Sequence, residues 1–349
     1  MSVAAPAARP SAIITEVVIY LGALVVAVLV TAGFIAAFGK DPLVAYRMIL
    51  QASVGSAAGV GQTLNKATPL LLGSLAVALA MRGGLFNIGV DGQIYAGAIA
   101  ATAGAFLLAG TALPARAAVP TVLALGTAGG ALLGAIPAVL RAGWGVSEIF
   151  VTVMLNFVAL FLTEYLTTGP WNDPVAGEAI SRPIPSVAAL PQLDPQQGAH
   201  AGIVLALAIG LTLAWLLART WLGYQIRAAG DNPVAARLGG VNLVRITLVA
   251  LIASGALAGL AGAVEVTGVY NRLILGLTPG YGILAILIAV LARRAILGVI
   301  AVSLGFAILL VGSDTLQRSI GFPSSAVYVF QAVTVLCVLL AEAAVRRRR

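Results

Sequence analysis

GIVLALAIGLTLAWLLA, residues 202–218, is a run of seventeen uncharged residues that ends at Arg219. About 20 apolar residues in a helix cross the hydrocarbon core of a bilayer. The other apolar runs fall at 13–38, 64–81, 88–110, 118–140, 149–167, 246–268, 282–292, 295–312 and 326–343. We therefore expect an all-α integral membrane protein with about ten transmembrane helices, in the range of eight to ten. The run at 282–292 is too short to span unless it extends back through Gly280 or is partly re-entrant.

Composition supports the membrane class and excludes others. Of 349 residues, 60% are hydrophobic and 9% charged, whereas soluble domains carry about 25% charged residues. No polar stretch is long enough for a soluble catalytic domain, so we expect one transmembrane domain over 1–349 and no enzyme activity. One histidine, His200, and one cysteine, Cys337, exclude a multi-histidine metal centre and a disulfide framework.

The basic residues indicate orientation. The net charge is +8, but the cations lie at the ends of apolar runs, which indicates membrane topology and no nucleic-acid partner. If the flexible N-terminus at 1–12 is cytoplasmic, the inner connections hold 13 of the 20 basic residues. We therefore expect both termini and the 219–245 loop inside the cell, and the 169–201 loop outside.

The 169–201 loop contains six prolines, which preclude a continuous helix and favour a semi-rigid extended surface. A plain connector would satisfy this pattern. Connections of this length are usually functional or disordered, so a docking surface for an external partner is the second interpretation.

RGGLFNIGVDGQ, residues 82–93, interrupts an apolar region with four glycines. A broken helix at membrane depth is tolerated where it lines a cavity or is buried in protein. Asn87 is a good N-cap for the next helix, and Asp91, four residues on, would share one face with it. The candidate translocation-pathway residues are Asn87, Gly89, Asp91, Gln93 and Asn156. The alternative is a capped cytoplasmic turn.

GYQIRAAGDNPVAARLGGVN, residues 223–242, encodes a very short helix. Asn232 caps it, Pro233 occupies its first position, and Gly239-Gly240 ends it. A helix of about seven residues is unstable alone, so it needs a groove on a partner, or else it lies on the lipid surface. The candidate coupling residues are Arg227, Asp231, Asn232, Pro233, Ala235, Ala236 and Arg237.

Two further patterns bear on packing and energy supply. Gly255 and Gly259 form a small-residue face, as do Gly126, Gly130 and Gly134, and both predict close helix packing. The chain has no G-x-x-x-x-G-K-[ST] motif. We therefore expect no cofactor, and any ATP must be bound by another subunit.

Together these stretches resemble the permease subunits of ABC importers of the branched-chain amino acid/ribose type. The nearest likeness is to nucleoside permeases that work with basic-membrane-lipoprotein binding proteins. GLFNIGVDGQ at 84–93 is similar to that family's G-[LM]-x-N-I-G-x-E-G-Q, with Asp91 where glutamate is usual. RAAGDNPVAARLGGV at 227–241 resembles its cytoplasmic coupling segment, and SGALAGLAGA at 254–263 follows at the usual interval.

The resemblance implies a permease that forms half of a pathway for nucleosides or a related small polar solute by alternating access. Its expected partners are a second permease in a heterodimer, a cytoplasmic ABC ATPase and an extracytoplasmic lipoprotein that delivers solute. The expected location is the bacterial inner membrane, with many spans. A ribose-type sugar permease is one alternative. An ion-coupled secondary transporter is another, with Asp91, Glu164 and Glu265 as coupling acids.

Overall fold

The computed structural model of the protein describes residues 10–111, 114–194, 198–321 and 324–347. The expected flexible terminus at 1–12 lies largely outside these ranges, as do the last two arginines. Within them the chain forms thirteen α-helices and no extended strand. The helices are α1 Pro10–Ala37, α2 Pro42–Val54, α3 Ala57–Arg82, α4 Val90–Leu107, α5 Ala115–Trp144, α6 Glu148–Thr168, α7 Gly202–Arg219, α8 Trp221–Asp231, α9 Pro233–Leu238, α10 Leu243–Glu265, α11 Tyr281–Leu291, α12 Ile296–Ile320 and α13 Ser324–Arg347.

Each of the ten apolar runs lies wholly or mostly in helix, which confirms the all-α membrane class. The expected count of about ten spans is not confirmed. Six helices among the described residues are long and apolar enough to cross a bilayer, or seven if one bent pair is a single span. That pair, Val25–Ala37 and Pro42–Val54, is bent by 113°. α4 carries Asp91 and Gln93 in its first turns, and α11 has only eleven residues, so both fall outside the six.

The contacts divide the chain into two units, one up to Gly55 with the residues from Ile308 onward, the other from Ser56 to Ala307. In the first unit, Ile35, Ile49 and Leu316 form a buried apolar cluster with Ala45. α2 begins where Asp41 accepts hydrogen bonds from the amides of the first turn.

The second unit is organised around α10, which packs against α5, α4 and α3. The predicted glycine faces meet each other at the α5–α10 crossing. A Cβ added to Gly259 would lie 2.6 Å from the Gly130 Cα, and one added to Gly255 would lie 3.0 Å from the Gly134 Cα. The close-packing prediction is therefore confirmed, since these backbones meet where no side chain fits.

The short helix α11 does not extend back through Gly280. Gly280 has φ +78°, a left-handed conformation that is not helical, so α11 begins at Tyr281. On the other side of this connection, α10 ends in a π-helical turn over Val266–Tyr270, followed by Asn271 with φ +52°. The chain between 271 and 280 is irregular.

The proline-rich loop at 169–201 is held against this irregular segment by backbone hydrogen bonds. A single 3₁₀ turn, Ser186–Ala188, is the helical part among its described residues. Its bonds to the segment after α10 run from Ser181 N to Leu273 O, Ile184 N to Asn271 O and Leu190 N to Thr267 O, each at 2.8 Å. The described residues of the loop therefore form a layer over the end of α10.

Candidate functional site

A stripe of polar residues on α6 supports the broken segment between α3 and α4. Glu148, Thr152 and Asn156 are spaced four residues apart and so lie on one helix face. They accept the amide protons of the break: Phe86 N to Glu148 Oε1 at 3.3 Å, Ile88 N to Thr152 Oγ1 at 3.3 Å and Gly92 N to Asn156 Oδ1 at 2.8 Å. Asn156 also donates to the Ile88 carbonyl at 3.0 Å. Side chains thus supply acceptors for the amides of Phe86 and Ile88 in the break and of Gly92 in the first turn of α4.

The glycines of the break allow this close approach. A Cβ added to Gly89 would lie 2.9 Å from the Thr152 Cβ, and one added to Gly92 would lie 2.8 Å from the Asn156 Cα. Gly89, predicted as a pathway residue, is therefore a contact point between the break and α6.

Asn87 does not cap α4, contrary to the sequence-based expectation. The N-cap is Gly89, which makes no side-chain hydrogen bond, and the helix begins at Val90. The Asn87 amide instead donates to Gln93 Oε1 and to Ser254 Oγ, each at 2.7 Å, and its Oδ1 accepts from Gly89 N at 3.0 Å. The side chain of Asn87 is therefore oriented by a hydrogen bond to Ser254 on α10, which is 167 residues away in sequence.

Ser254 extends this cluster to a third helix. Its hydroxyl donates to the Ala76 carbonyl of α3 at 2.7 Å. Asn87 and Gln93 are 1% and 2% exposed, and Ser254 is fully buried. Two of the predicted pathway residues thus form a polar cluster that joins the break to α3 and α10.

Asp91 lies on a different side of α4 from Gln93 and does not share a face with Asn87, which also corrects the prediction. Its Oδ1 accepts from the amide of Gly282 at 2.8 Å, and the Thr278 hydroxyl also donates to it. Gly280, the N-cap of α11, makes no side-chain hydrogen bond. Asp91 therefore supplies the acceptor that α11 lacks at its first turn.

The predicted short helix is present as α9, with six residues. Asn232 Oδ1 accepts from Val234 N at 3.1 Å and Ala235 N at 3.0 Å, and Gly240 has φ +82° just beyond the last turn. Proline at the first position and the glycine end confirm the local prediction.

Of the two alanines of α9 in the predicted coupling set, Ala235 is the one accessible to a partner. Ala235 is exposed, whereas Ala236 is 6% exposed and packs within its own chain. Val234 and Leu238, four residues apart, are 70% and 85% exposed. An apolar face of Val234, Ala235 and Leu238 therefore points away from the protein.

Of the arginines in the predicted coupling set, Arg237 and Arg227 line two different grooves. Arg237 lines a groove of about 500 Å³ with Arg141, whose guanidinium lies 3.3 Å from Glu148 Oε2. Arg227 and Asp231 are on α8, and Arg227 lines a smaller groove with Arg82. Only Asn232, Pro233, Ala235, Ala236 and Arg237 of the predicted set belong to the α9 segment.

Sequence reasoning missed the residues that act through distant contacts. Thr152 lies midway between Glu148 and Asn156, so spacing in steps of four was an available signal. For Asn65 on α3 the sequence contains no such signal. Its side chain donates to the Gly198 carbonyl at 2.7 Å and accepts from His200 N at 3.1 Å. It thereby fastens the end of the 169–201 loop to the helix bundle.

Comparison with known proteins places these features in a family. A family model described as branched-chain amino acid transport system / permease component matches residues 59–339. The chain is 34% identical to the glucose ABC transporter permease of Haloferax volcanii over 316 residues, 88% of this chain and 82% of that protein. No solved structure matches the chain significantly.

Two further relatives carry nucleoside names. The nucleoside ABC transporter permease of Lactococcus lactis is 30% identical over 329 residues, 92% of this chain and 90% of that protein. The guanosine ABC transporter permease of Bacillus subtilis is 33% identical over 284 residues, 80% of each chain.

Proposed function

The chain belongs to the family of branched-chain amino acid transport system permease components, and from that premise we propose that it forms half of the pathway through which an ATP-driven importer takes up nucleosides or a related small polar solute. The observation that carries the substrate class is that relatives named for nucleosides and for guanosine each align with at least 80% of the chain. Family membership removes the ion-coupled secondary transporter as an alternative.

A simple sugar is the second candidate substrate, because the relative at 34% identity is named for glucose. A nucleoside contains a sugar ring with hydroxyl groups, so both solutes need donors and acceptors along the pathway. The two candidates differ in the flat base, which would need an apolar or aromatic surface as well.

The pathway is proposed to run beside the break at 83–89. Asn87 and Gln93 are polar, buried and placed between α3, α4 and α10, and polar groups inside a membrane protein commonly mark the solute route. Their side chains bond to each other in this conformation. Opening of the pathway by alternating access would release some of these groups toward the solute.

Coupling to ATP hydrolysis is proposed to occur at α9. Three features support it: a six-residue helix with a capped start, the exposed apolar pair Val234 and Leu238, and Arg237 beside them. An exposed apolar face between basic residues fits a cleft on an ATPase subunit that supplies acidic partners for the arginine. ATP itself would be bound by that subunit.

The remaining partners follow from the same proposal. A lipoprotein that binds solute would dock on the 169–201 loop, and a second permease, in a heterodimer, would complete the pathway. The arginine-rich connections, including those with Arg82, Arg141 and Arg227, support a cytoplasmic location for that end of the bundle. Both termini would then be cytoplasmic, in a bacterial inner membrane.

Uptake by the complete importer tests the substrate class. Cells that express this permease with its ATPase, second permease and lipoprotein are given labelled guanosine or labelled glucose, each with an excess of the other as competitor. We expect guanosine uptake that glucose does not reduce. Saturable glucose uptake that guanosine leaves unchanged would replace the nucleoside proposal with the sugar one, and absence of both would overturn the substrate class.

A further inference from the structure

A small amphipathic groove lies at the arginine-rich end of the second unit, apart from α9. It has a volume of about 240 Å³ and lies between the ends of α3 and α7, α8 and the start of α12. Arg82 and Arg227 form its polar part. Its apolar wall is formed by Leu217, Ala218, Ile296 and Leu297.

Positive charge is concentrated at this groove. Arg227 and Arg294 each lie close enough to Arg82 to repel its charge, and Asp231 is the acid that opposes them there. Three cations and one carboxylate leave an excess of positive charge. Among the described residues, those that line the groove include no Asp or Glu. Such an arrangement favours an anion with several oxygen atoms.

The backbone is strained to hold this cluster together. Arg293 and Arg294 both have left-handed conformations, with φ +51° and +61°, which non-glycine residues rarely adopt. Arg82 Nε donates to the Arg294 carbonyl at 2.8 Å, and Arg294 Nη1 donates to the Met81 carbonyl at 3.4 Å. These crossed bonds fix Arg294 beside Arg82 although their charges repel, and such strain is concentrated at ligand sites.

Aromatic residues indicate the depth of the groove in the membrane. Trp221 and Tyr224 at the start of α8 are stacked at 5.3 Å and are 69% and 50% exposed. Exposed Trp and Tyr side chains mark the level at which headgroups meet acyl chains. Leu297, on the apolar wall, is 62% exposed, so this wall is open toward the surroundings.

We propose that this groove binds an anionic phospholipid, with the phosphate held by Arg82 and Arg227, the charge of Arg294 beside Arg82 adding to the attraction, and an acyl chain lying along Leu217, Ala218, Ile296 and Leu297. The pairing of a basic head site with an apolar wall at interfacial depth fits a phospholipid better than a soluble anion, which would gain nothing from the wall. The groove next to α9 differs, because one of its arginines, Arg141, is already paired with Glu148.

The test measures lipid bound to the purified full-length permease. Native mass spectrometry in detergent follows titration with dioleoylphosphatidylglycerol or, separately, dioleoylphosphatidylcholine. We expect tighter binding of phosphatidylglycerol by the wild type, and a loss of about fivefold in Arg227→Gln, because each arginine near an anionic lipid adds to its attraction. Arg219→Gln, an exposed arginine that does not line the groove, is the matched control for net charge and should bind as the wild type does.

A second pair of variants tests the apolar wall. It also keeps the proposal testable if Arg227→Gln does not fold. Leu297→Glu places a carboxylate in the apolar wall, where it repels an anionic lipid, and should weaken phosphatidylglycerol binding more than Leu297→Gln, which changes polarity without charge. Inorganic phosphate, added as competitor, should displace little phosphatidylglycerol. Equal loss in Arg219→Gln and Arg227→Gln, no preference over phosphatidylcholine, or displacement by inorganic phosphate at comparable concentration would each overturn the proposal.

Discussion

The amide of Gly282, at the start of α11, donates to Asp91 Oδ1 at 2.8 Å across 191 residues of sequence. A carboxylate on α4 thus caps a helix whose own N-cap residue, Gly280, has no side chain to do so. Gly282 is also the position where a Cβ would come within 2.6 Å of the Asp91 carboxyl carbon. Asp91, predicted as a pathway residue, therefore supplies a helix-capping carboxylate in this protein.

Asp91→Ala should lower the stability of the permease, because the first turn of α11 loses its acceptor. Loss of a capping side chain costs about 1 kcal/mol. Asp91→Asn keeps an acceptor oxygen and should retain most of this stability. Thermal unfolding of the purified variants, with uptake by the complete importer, measures both effects. If Asp91→Asn unfolds as the wild type does yet abolishes uptake, the charge of Asp91 serves transport and capping is secondary.

Gly89→Leu should abolish uptake while the permease still inserts in the membrane, because the break would be forced away from Thr152. Gly89→Ala should already reduce uptake, since a Cβ there lies 2.9 Å from the Thr152 Cβ and overpacking costs about 1–3 kcal/mol. Gly143→Ala on α5 is the control, because a Cβ at that glycine meets nothing within 4 Å. Normal uptake by Gly89→Leu would mean that the break lies outside the pathway and tolerates displacement.

The reach of each interaction along the chain explains what the sequence could predict. Asn232, Pro233 and Gly240 define α9 through contacts within three residues, so the helix could be predicted. The spacing of Gly255 and Gly259 predicted a face that packs closely on another helix. It did not predict that Gly130 would be the residue in contact with that face. Asn87 was predicted as a local cap because nothing nearby in sequence reveals Ser254, and that distant hydroxyl decides where its amide points. The prediction that Asp91 would share a helix face with Asn87 was wrong for the same reason, because its partner Gly282 is 191 residues away in sequence.

His200 should make the permease less stable as the pH falls. Its Nδ1 accepts from the Gly202 amide at 3.1 Å, and its ring is fully buried next to Gly268. Burial lowers the pKa of His200 from 6.5 to about 4. The stability that neutral, buried His200 contributes is fully present above pH 6.5, where the histidine of the unfolded chain is also neutral. It is lost as the pH falls toward 4, since the unfolded chain binds the proton first.

His200→Asn is the matched variant for this prediction, because Asn keeps an acceptor near the Gly202 amide and does not titrate. The midpoint of thermal unfolding is compared at pH 7.5 and at pH 5. We expect a smaller drop in the variant than in the wild type. Equal drops would assign the acid sensitivity to other groups.

Cysteine labelling on intact cells tests the orientation. After Cys337→Ser, Val175→Cys should react with an impermeant maleimide and Leu238→Cys should not, because the two side chains are 92% and 85% exposed at opposite predicted sides of the membrane. Permeabilised cells supply the control in which both react. The reverse pattern would invert the whole topology and with it the proposed cytoplasmic location of α9.

The exposed face of α9 provides the sharpest test of coupling. Ala235→Trp should prevent co-purification of the ATPase and abolish uptake, while the permease itself stays folded, since Ala235 is exposed outside the apolar spans. Leu238→Asp should have the same effect, because it places a charge on the apolar face. Both variants should keep the thermal midpoint of the wild-type permease measured without ATPase.

Ala236→Trp is the contrasting variant on the same helix. Ala236 is 6% exposed, so a large side chain there should lower the thermal midpoint of the permease alone, before any ATPase is added. A separation of the two effects, with assembly lost at Ala235 and folding lost at Ala236, would assign the outer face of α9 to the ATPase. If Ala235→Trp still binds the ATPase and supports uptake at the wild-type rate, α9 is not the coupling element, and a helix lying on the lipid surface becomes the better interpretation of Val234 and Leu238.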